Sequence, residues 1–123
     1  ISGIGGLTLG ADPIALASAM ASYQANDPSP LKPFVVRKEP KDHGKGKQIE
    51  GGFKEGDTVV AIDDVITTGG STLNAIEAIE RSGGHVAFVL VLVDRQEGGK
   101  EIIENAGYKV FSLFTRDEFL SKE

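Results

Sequence analysis

A chain of 123 residues with 40% apolar side chains is long enough for one hydrophobic core, and we expect one domain spanning 1–123. The sequence contains no cysteine, which excludes a disulfide scaffold or a thiolate metal site, and no apolar run approaches the ~20 residues that span a bilayer. We therefore expect a cytoplasmic protein, and the net charge of -5 argues against general binding to nucleic acid.

The first part of the chain predicts a strand end, a helix and a second strand. Residues 1–4 resemble the tail of a strand, so we expect the natural beginning to lie further upstream, and Gly5–Gly10 predicts a glycine-rich loop. A helix follows over Ala11–Gln24, with Asp12 as the expected N-cap and Pro13 at the first helical position. Pro33–Lys38 predicts a short strand.

The rest of the chain continues this alternation. The predicted elements are a flexible loop at about 39–52, a strand at Thr58–Asp63, a helix at Gly70–Arg81, a strand at Val86–Val93, a helix at Gly99–Asn105, a strand at Tyr108–Phe114 and a last helical turn at Arg116–Lys122 capped by Thr115. Because Val86–Val93 is apolar throughout, we expect a strand covered on both faces.

Alternating strands and helices favour an α/β fold: a doubly wound, mainly parallel five-stranded sheet with helices on both faces. Ligands of such sheets lie beyond the carboxyl ends of the strands, at a topological switch point. With strand order 2-1-3-4-5, the Gly5–Gly10 loop and the loop from Asp63 to Thr72 would flank that point.

The segment from Val59 to Thr72 carries the strongest chemical signal. An apolar strand leads into Asp63 and Asp64, whose carboxylates are suited to accept hydrogen bonds from vicinal ribose hydroxyls. The residues from Thr67 to Thr72 offer backbone N–H groups and hydroxyls to a phosphate at a positive helix N-terminus. The alternative is an ordinary strand end with a capping acid.

Two competing phosphate-binding motifs are absent from the sequence. A Walker loop requires Gly-Lys followed by Ser or Thr, but Gly46-Lys47 is followed by Gln48. The dinucleotide fingerprint requires a third glycine where this chain has Thr8.

Residues 59–72 resemble the phosphoribosyl pyrophosphate (PRPP) signature of type I phosphoribosyltransferases. Two further stretches, Arg37–Gly44 and Leu92–Gly99, narrow the resemblance to the orotate phosphoribosyltransferase family. Together with Gly5–Pro13, they extend it over nearly the whole chain. The resemblance implies transfer of ribose 5-phosphate from PRPP to orotate, giving orotidine 5'-monophosphate and pyrophosphate in pyrimidine nucleotide biosynthesis. It also implies Mg²⁺ as cofactor and a homodimer.

The resemblance also implies roles for individual residues. The PRPP-binding set is Gly5, Gly6, Leu7, Arg37, Lys38, Lys41, His43, Asp63, Asp64, Val65, Ile66, Thr67, Thr68, Gly69, Gly70 and Ser71. The catalytic set is Lys41, His43, Asp63 and Asp64, of which Lys41 and His43 would reach into the partner subunit's site. Thr67 and Arg95 would bind orotate, and Mg²⁺ would be held mainly through PRPP, with Asp63 or Asp64 contributing through water.

The chain departs from the family pattern in two places. Related proteins often carry a lysine where this sequence has Gly10, and they have an N-terminal hood over the base that we do not find here. A non-catalytic PRPP-binding module or minimal core fragment, or a transferase acting on another nucleobase, therefore stays open. At single sites, Arg95 as a surface partner of Glu97 and residues 38–47 as a solvated loop are the simpler alternatives, and His85 favours a structural role.

Overall fold

The computed structural model describes residues 1–40 and 47–120. Within this part, the elements in chain order are β1 (Gly3–Leu7), α1 (Asp12–Gln24), β2 (Lys32–Val36), β3 (Ile49–Gly51), β4 (Thr58–Ile66), α2 (Gly70–Arg81), β5 (His85–Asp94), α3 (Gly99–Asn105), β6 (Val110–Thr115) and α4 (Arg116–Leu120). The predicted bounds of α2 and α3 are confirmed.

The strands form one sheet in the order β3-β2-β1-β4-β5-β6. All neighbouring pairs are parallel except β2 and β3, which are antiparallel. The five parallel strands therefore follow the predicted 2-1-3-4-5 order, and the α/β fold class is confirmed. The count of five was one too low, because β3 forms inside the segment predicted as the 39–52 loop.

The hydrophobic core lies in two layers, one on each face of the sheet. The larger layer, under α2 and α3, contains Phe34, Val59 and Ile79, each almost fully buried. The smaller layer, under α1, contains Ile4 and Val60. Burying an aliphatic or aromatic side chain of this size contributes ~1.5–3 kcal/mol to stability, so these layers hold the helices against the sheet.

Strand β5 is less completely covered than its apolar sequence predicts. Val89 and Val91 are fully buried in the larger layer, whereas Phe88 and Leu90 on the opposite face are only partly buried. The prediction that both faces of β5 are covered was therefore only half right. Helix α1 lies on the face of Phe88 and Leu90, but it packs mainly over β1 and β2.

Two local predictions were wrong at element ends. Helix α1 begins at Asp12 with Ala11 as the N-cap residue, so Asp12 is not the N-cap. Strand β4 does not stop at Asp63 but continues to Ile66. Thr115 ends β6 directly before α4, and its hydroxyl donates to the Glu118 carboxylate at 3.3 Å; its role as the cap of α4 stays a prediction.

Candidate functional site

The carboxyl ends of β1 and β4 form the switch point of the sheet. The two strands are hydrogen-bonded neighbours, but the helices that follow them lie on opposite faces of the sheet. Helix α1, after β1, covers one face, and helix α2, after β4, covers the other. A crevice at such a point is where doubly wound sheets bind ligands. The predicted loops lie on this crevice.

Asp63 is buried at the end of β4 and faces α2. Its side chain is 8% exposed, and Oδ2 accepts a hydrogen bond from the Thr72 hydroxyl at 3.1 Å. Oδ1 accepts from the Asp64 backbone N–H at 2.9 Å. Burial raises the pKa of the Asp63 carboxyl from 3.8 to about 6, and the neighbouring Asp64 adds to this rise. A buried carboxylate with a raised pKa beside a crevice marks a candidate functional site.

Asp64 is exposed and lies towards the opposite face, because successive side chains of a strand alternate. Its Oδ1 accepts from the Val65 backbone N–H at 2.8 Å. A Cβ on Gly10 would lie 2.6 Å from the same oxygen, so the glycine lets this carboxylate lie directly against the turn after β1. The two neighbouring carboxylates are thus divided: Asp63 is bonded within the protein, and Asp64 faces the crevice.

The N-terminus of α2 forms a small polar cavity. Its volume is about 50 Å³, and it is lined by Asp63, Val65, Ile66, Thr67, Thr68, Gly69, Gly70, Ser71 and Thr72. Gly69 starts the helix with φ at 91°, and no side chain caps this end. The first N–H groups of a helix lack intrahelical partners and carry the positive end of its dipole, so this cavity is suited to a phosphate.

The glycines at the start of the chain have a packing role. Gly5 and Gly6 are buried within β1, so the predicted Gly5–Gly10 loop is shorter than expected. A Cβ on Gly6 would lie 1.9 Å from the Ile62 carbonyl oxygen, and one on Gly5 would lie 2.3 Å from that of Phe34. The turn itself comprises residues 8–11.

Arg37 and Lys38 follow β2 at the same edge of the sheet. The Arg37 N–H donates to the Gln48 carbonyl at 2.8 Å, and the Gln48 side-chain amide donates to the Arg37 carbonyl at 3.0 Å. The Arg37 guanidinium lies 3.6 Å from the Glu50 carboxylate, with both side chains half-exposed. Ion pairs of this kind contribute little to stability, typically ~0–1 kcal/mol, so Arg37 remains available to an anion. Lys38 is exposed.

Arg95 lies beside the phosphate cavity because its loop is bonded to the loop after β4. The Arg95 N–H donates to the Ile66 carbonyl at 3.1 Å, and the Gly99 N–H donates to the Thr67 carbonyl at 2.9 Å. The Arg95 side chain is exposed, and its Nε lies 3.1 Å from the Glu97 carboxylate. The simpler alternative, a surface pair of Arg95 with Glu97, therefore describes a contact that does form.

Two predicted catalytic residues, Lys41 and His43, lie outside the described residues. His85 starts β5 and is exposed at the edge of the sheet opposite the crevice. No three metal-binding side chains of the His, Cys, Asp or Glu type gather anywhere in 1–40 or 47–120. No helix in these ranges has the length and apolar character to cross a membrane.

Sequence reasoning missed the two polar contacts that shape the crevice. Thr72 bonds to Asp63, and the Thr8 hydroxyl donates to the Asp12 carboxylate at 2.6 Å. The first follows from placing α2 beside β4, since Thr72 lies in the first turn of the helix. No sequence signal distinguished Asp12 from a capping residue.

Residues 15–118 match the phosphoribosyl transferase domain family, which is most of the chain. The α/β fold with its phosphate cavity at the switch point agrees with this match. The chain belongs to this family.

Within the family, the chain is similar to orotate phosphoribosyltransferases. It is 53% identical over 116 residues to the orotate phosphoribosyltransferase of Aquifex aeolicus, covering 94% of this chain and 62% of that protein. The orotate phosphoribosyltransferase of Mycobacterium tuberculosis, solved in complex with PRPP, is 38% identical with a TM-score of 0.81 over 95% of this chain and 64% of that one. The chain thus spans about three fifths of the length of the relatives it matches.

A more distant structure shares the fold alone. The adenine phosphoribosyltransferase of Rhodothermus marinus superposes with a TM-score of 0.64 at 21% identity, over 94% of this chain and 69% of that one.

Proposed function

We propose that this chain is the core of an orotate phosphoribosyltransferase, which transfers ribose 5-phosphate from PRPP to orotate and releases pyrophosphate. One observation carries the proposal: two backbone hydrogen bonds, at 3.1 Å and 2.9 Å, join the Arg95 loop to the loop of the phosphate cavity. The backbone of Arg95, whose guanidinium is able to bind a carboxylate, therefore lies next to a cradle for a ribose phosphate. The similarity to the Aquifex aeolicus protein supports the same substrates.

The ribose phosphate would bind across the end of β4. The 5-phosphate would sit in the cavity at the N-terminus of α2, where uncapped N–H groups and hydroxyls point. Asp64, exposed in the crevice next to the turn after β1, would accept hydrogen bonds from ribose hydroxyls. Asp63, already hydrogen-bonded to Thr72, would hold the loop after β4 in place and keep its own carboxylate close to the sugar.

The described carboxylates fit a magnesium ion only in part. Mg²⁺ prefers oxygen ligands, keeps several waters and is usually held by one or two carboxylates together with substrate phosphates. Asp63 and Asp64 supply such oxygens, and no third acidic or histidine side chain joins them in the described part of the chain. When bound, the ion would neutralise charge on the pyrophosphate, with Asp63 or Asp64 contacting it through water.

The chain's own residues would contribute positioning and charge. As the anomeric bond breaks, positive charge develops on the ribose and negative charge on the departing pyrophosphate. Arg37 and Lys38 follow β2 at the same edge of the sheet and would stabilise the leaving group, and the resemblance adds Lys41 and His43 from the partner subunit.

Arg95 would select the base by binding the orotate carboxylate. A guanidinium is able to bind a carboxylate end-on through its two terminal nitrogens, and the contact with Glu97 engages Nε. Both partners of the Glu97 pair are exposed, so the pair is weak and leaves Arg95 available. Thr67, next to this loop, would support the same base.

A titration of the purified chain with PRPP and Mg²⁺, followed by an absorbance assay of orotate consumption, tests the proposal. Binding with turnover is the expected result, and no PRPP binding would overturn it. Binding without turnover would favour the non-catalytic module or core fragment.

A matched pair of variants tests base selection. Arg95→Ala should weaken orotate binding about tenfold while leaving PRPP binding unchanged, because a bidentate charged contact is lost. Glu97→Gln, which removes the neighbouring charge and keeps Arg95, is the control. Unchanged orotate binding in Arg95→Ala would remove the main support for orotate over another nucleobase.

The homodimer and the cytoplasmic location stay predictions.

A further inference from the structure

We propose that Asp12 is a positioning residue, which holds the turn at residues 8–11 in place beside the crevice where PRPP would bind. The inference rests on the proposed function, because it concerns where PRPP binds. It goes beyond that function in assigning a role to a side chain that would not itself contact the substrate.

The turn is held at both ends by hydrogen bonds. The Thr8 N–H donates to the Val36 carbonyl of β2 at 2.9 Å, and the Asp12 N–H donates to the Leu9 carbonyl at 3.1 Å. The Thr8 hydroxyl donates to Asp12 Oδ2 at 2.6 Å, which closes the turn from strand end to helix start. A short hydrogen bond to a carboxylate is about twice as strong as a neutral one.

The position of Asp12 is costly for both folding and anion binding. Its other oxygen, Oδ1, is buried without a partner among the described residues. Leaving a buried acceptor unsatisfied destabilises the folded chain. A carboxylate beside this turn also repels the polyanionic PRPP that would bind in the crevice. An acidic residue at the start of α1 that faced solvent would have neither cost. The hydrogen bond from Thr8 is therefore the feature that explains why Asp12 lies where it does.

The turn lies where its shape affects binding. Gly10, in the turn, lies directly against the Asp64 carboxylate. A shift of the turn would therefore move Gly10 relative to the crevice at the end of β4. Leu9 at the tip is 78% exposed, whereas Ala11 at the end of the turn is buried in the smaller layer of the core. The Thr8 to Asp12 bond would therefore hold the exposed part of the turn and set its spacing from Asp64.

Four single variants separate this role from simple helix stabilisation. Thr8→Val keeps the shape of the side chain and removes the hydroxyl, whereas Thr8→Ser keeps the hydroxyl. Asp12→Ala removes the acceptor, whereas Asp12→Asn keeps an oxygen acceptor and removes the negative charge. The measurement is calorimetric titration of each folded chain with PRPP and Mg²⁺, beside thermal unfolding followed by circular dichroism.

We expect Thr8→Val and Asp12→Ala to weaken PRPP binding about tenfold, the size of one lost charge-assisted hydrogen bond. Thr8→Ser should bind like the wild type, and Asp12→Asn should lose less affinity than Asp12→Ala because its amide oxygen keeps a neutral hydrogen bond with Thr8. The double variant Thr8→Val with Asp12→Ala should be no worse than either single variant, since the two residues act through one bond.

The outcomes distinguish this inference from the proposed function. A wild-type chain that does not bind PRPP would overturn both. A wild-type chain that binds PRPP, with Thr8→Val binding equally well, would overturn the positioning role alone. Lower melting temperatures for both Asp12 variants with unchanged PRPP affinity would likewise overturn it and leave Asp12 as a helix-stabilising acid.

Discussion

Replacing Asp63 with asparagine should remove a pH dependence from the stability of the fold. The pKa of Asp63 rises from 3.8 to about 6, mainly through burial, so between these values the native state binds protons that the unfolded state has lost. Stability therefore falls as pH rises through this range. A rise of about two pKa units corresponds to about 3 kcal/mol in the free energy of unfolding. The charged Asp63 carboxylate lowers stability by this amount at pH 7, and the loss disappears below pH ~4.

Asparagine carries no charge at any of these pH values, so the cost should be absent from the variant. We expect the free energy of unfolding of Asp63→Asn, minus that of the wild type, to grow by about 3 kcal/mol between pH ~4 and pH ~7. Urea unfolding at several pH values measures both chains, and titrating groups distant from Asp63 cancel in the difference. Asp117→Asn, which removes an exposed carboxylate from α4, is the control. A difference that stays constant with pH would refute the reasoning.

Three further substitutions test the packing, the polar contact and the chemistry of the site. Gly6→Ala should destabilise the fold by about 3 kcal/mol, because its Cβ would meet a carbonyl oxygen, whereas Gly70→Ala, with open space around it, should not; urea unfolding compares them. Thr72→Val should cost about 1 kcal/mol and raise the pKa of Asp63 further, which carboxyl NMR titration measures; an unchanged pKa would contradict the bond. Lys41→Ala should lower kcat and leave PRPP binding largely intact, and equal losses in kinetics and calorimetry would show that its role is misassigned.

Much of the fold was predictable because glycine and apolar patterns mark element ends sharply. Gly69 and Gly98 take positive φ angles of 91° and 95° just before α2 and α3, and both helices begin where predicted. Strand β3 was not predictable: it has three residues in a charged segment and exists because its backbone pairs with β2. Pairing with a distant strand leaves no local pattern in so short a stretch.

The site was predictable in its residue types but not in their environments. The pattern placed Asp63 and Asp64 together, yet only the alternation of β4 in three dimensions buries one beside Thr72 and exposes the other towards Gly10. The same limit applies to Asp12, whose partner is a side chain and not the helix end. Burial and partner choice depend on which elements pack together, and a single sequence does not contain that information directly.

The bonding between the Arg95 loop and the loop after β4 has a consequence for engineering new base specificity. A Cβ on Gly99 would lie 2.5 Å from the Thr67 carbonyl oxygen and 2.9 Å from the Gly69 nitrogen, so the two loops fit together only without side chains at their junction. An insertion in either loop would separate them. A chimaera that borrows its base-recognition loop from another transferase must therefore take the matching phosphate loop with it, as one cassette.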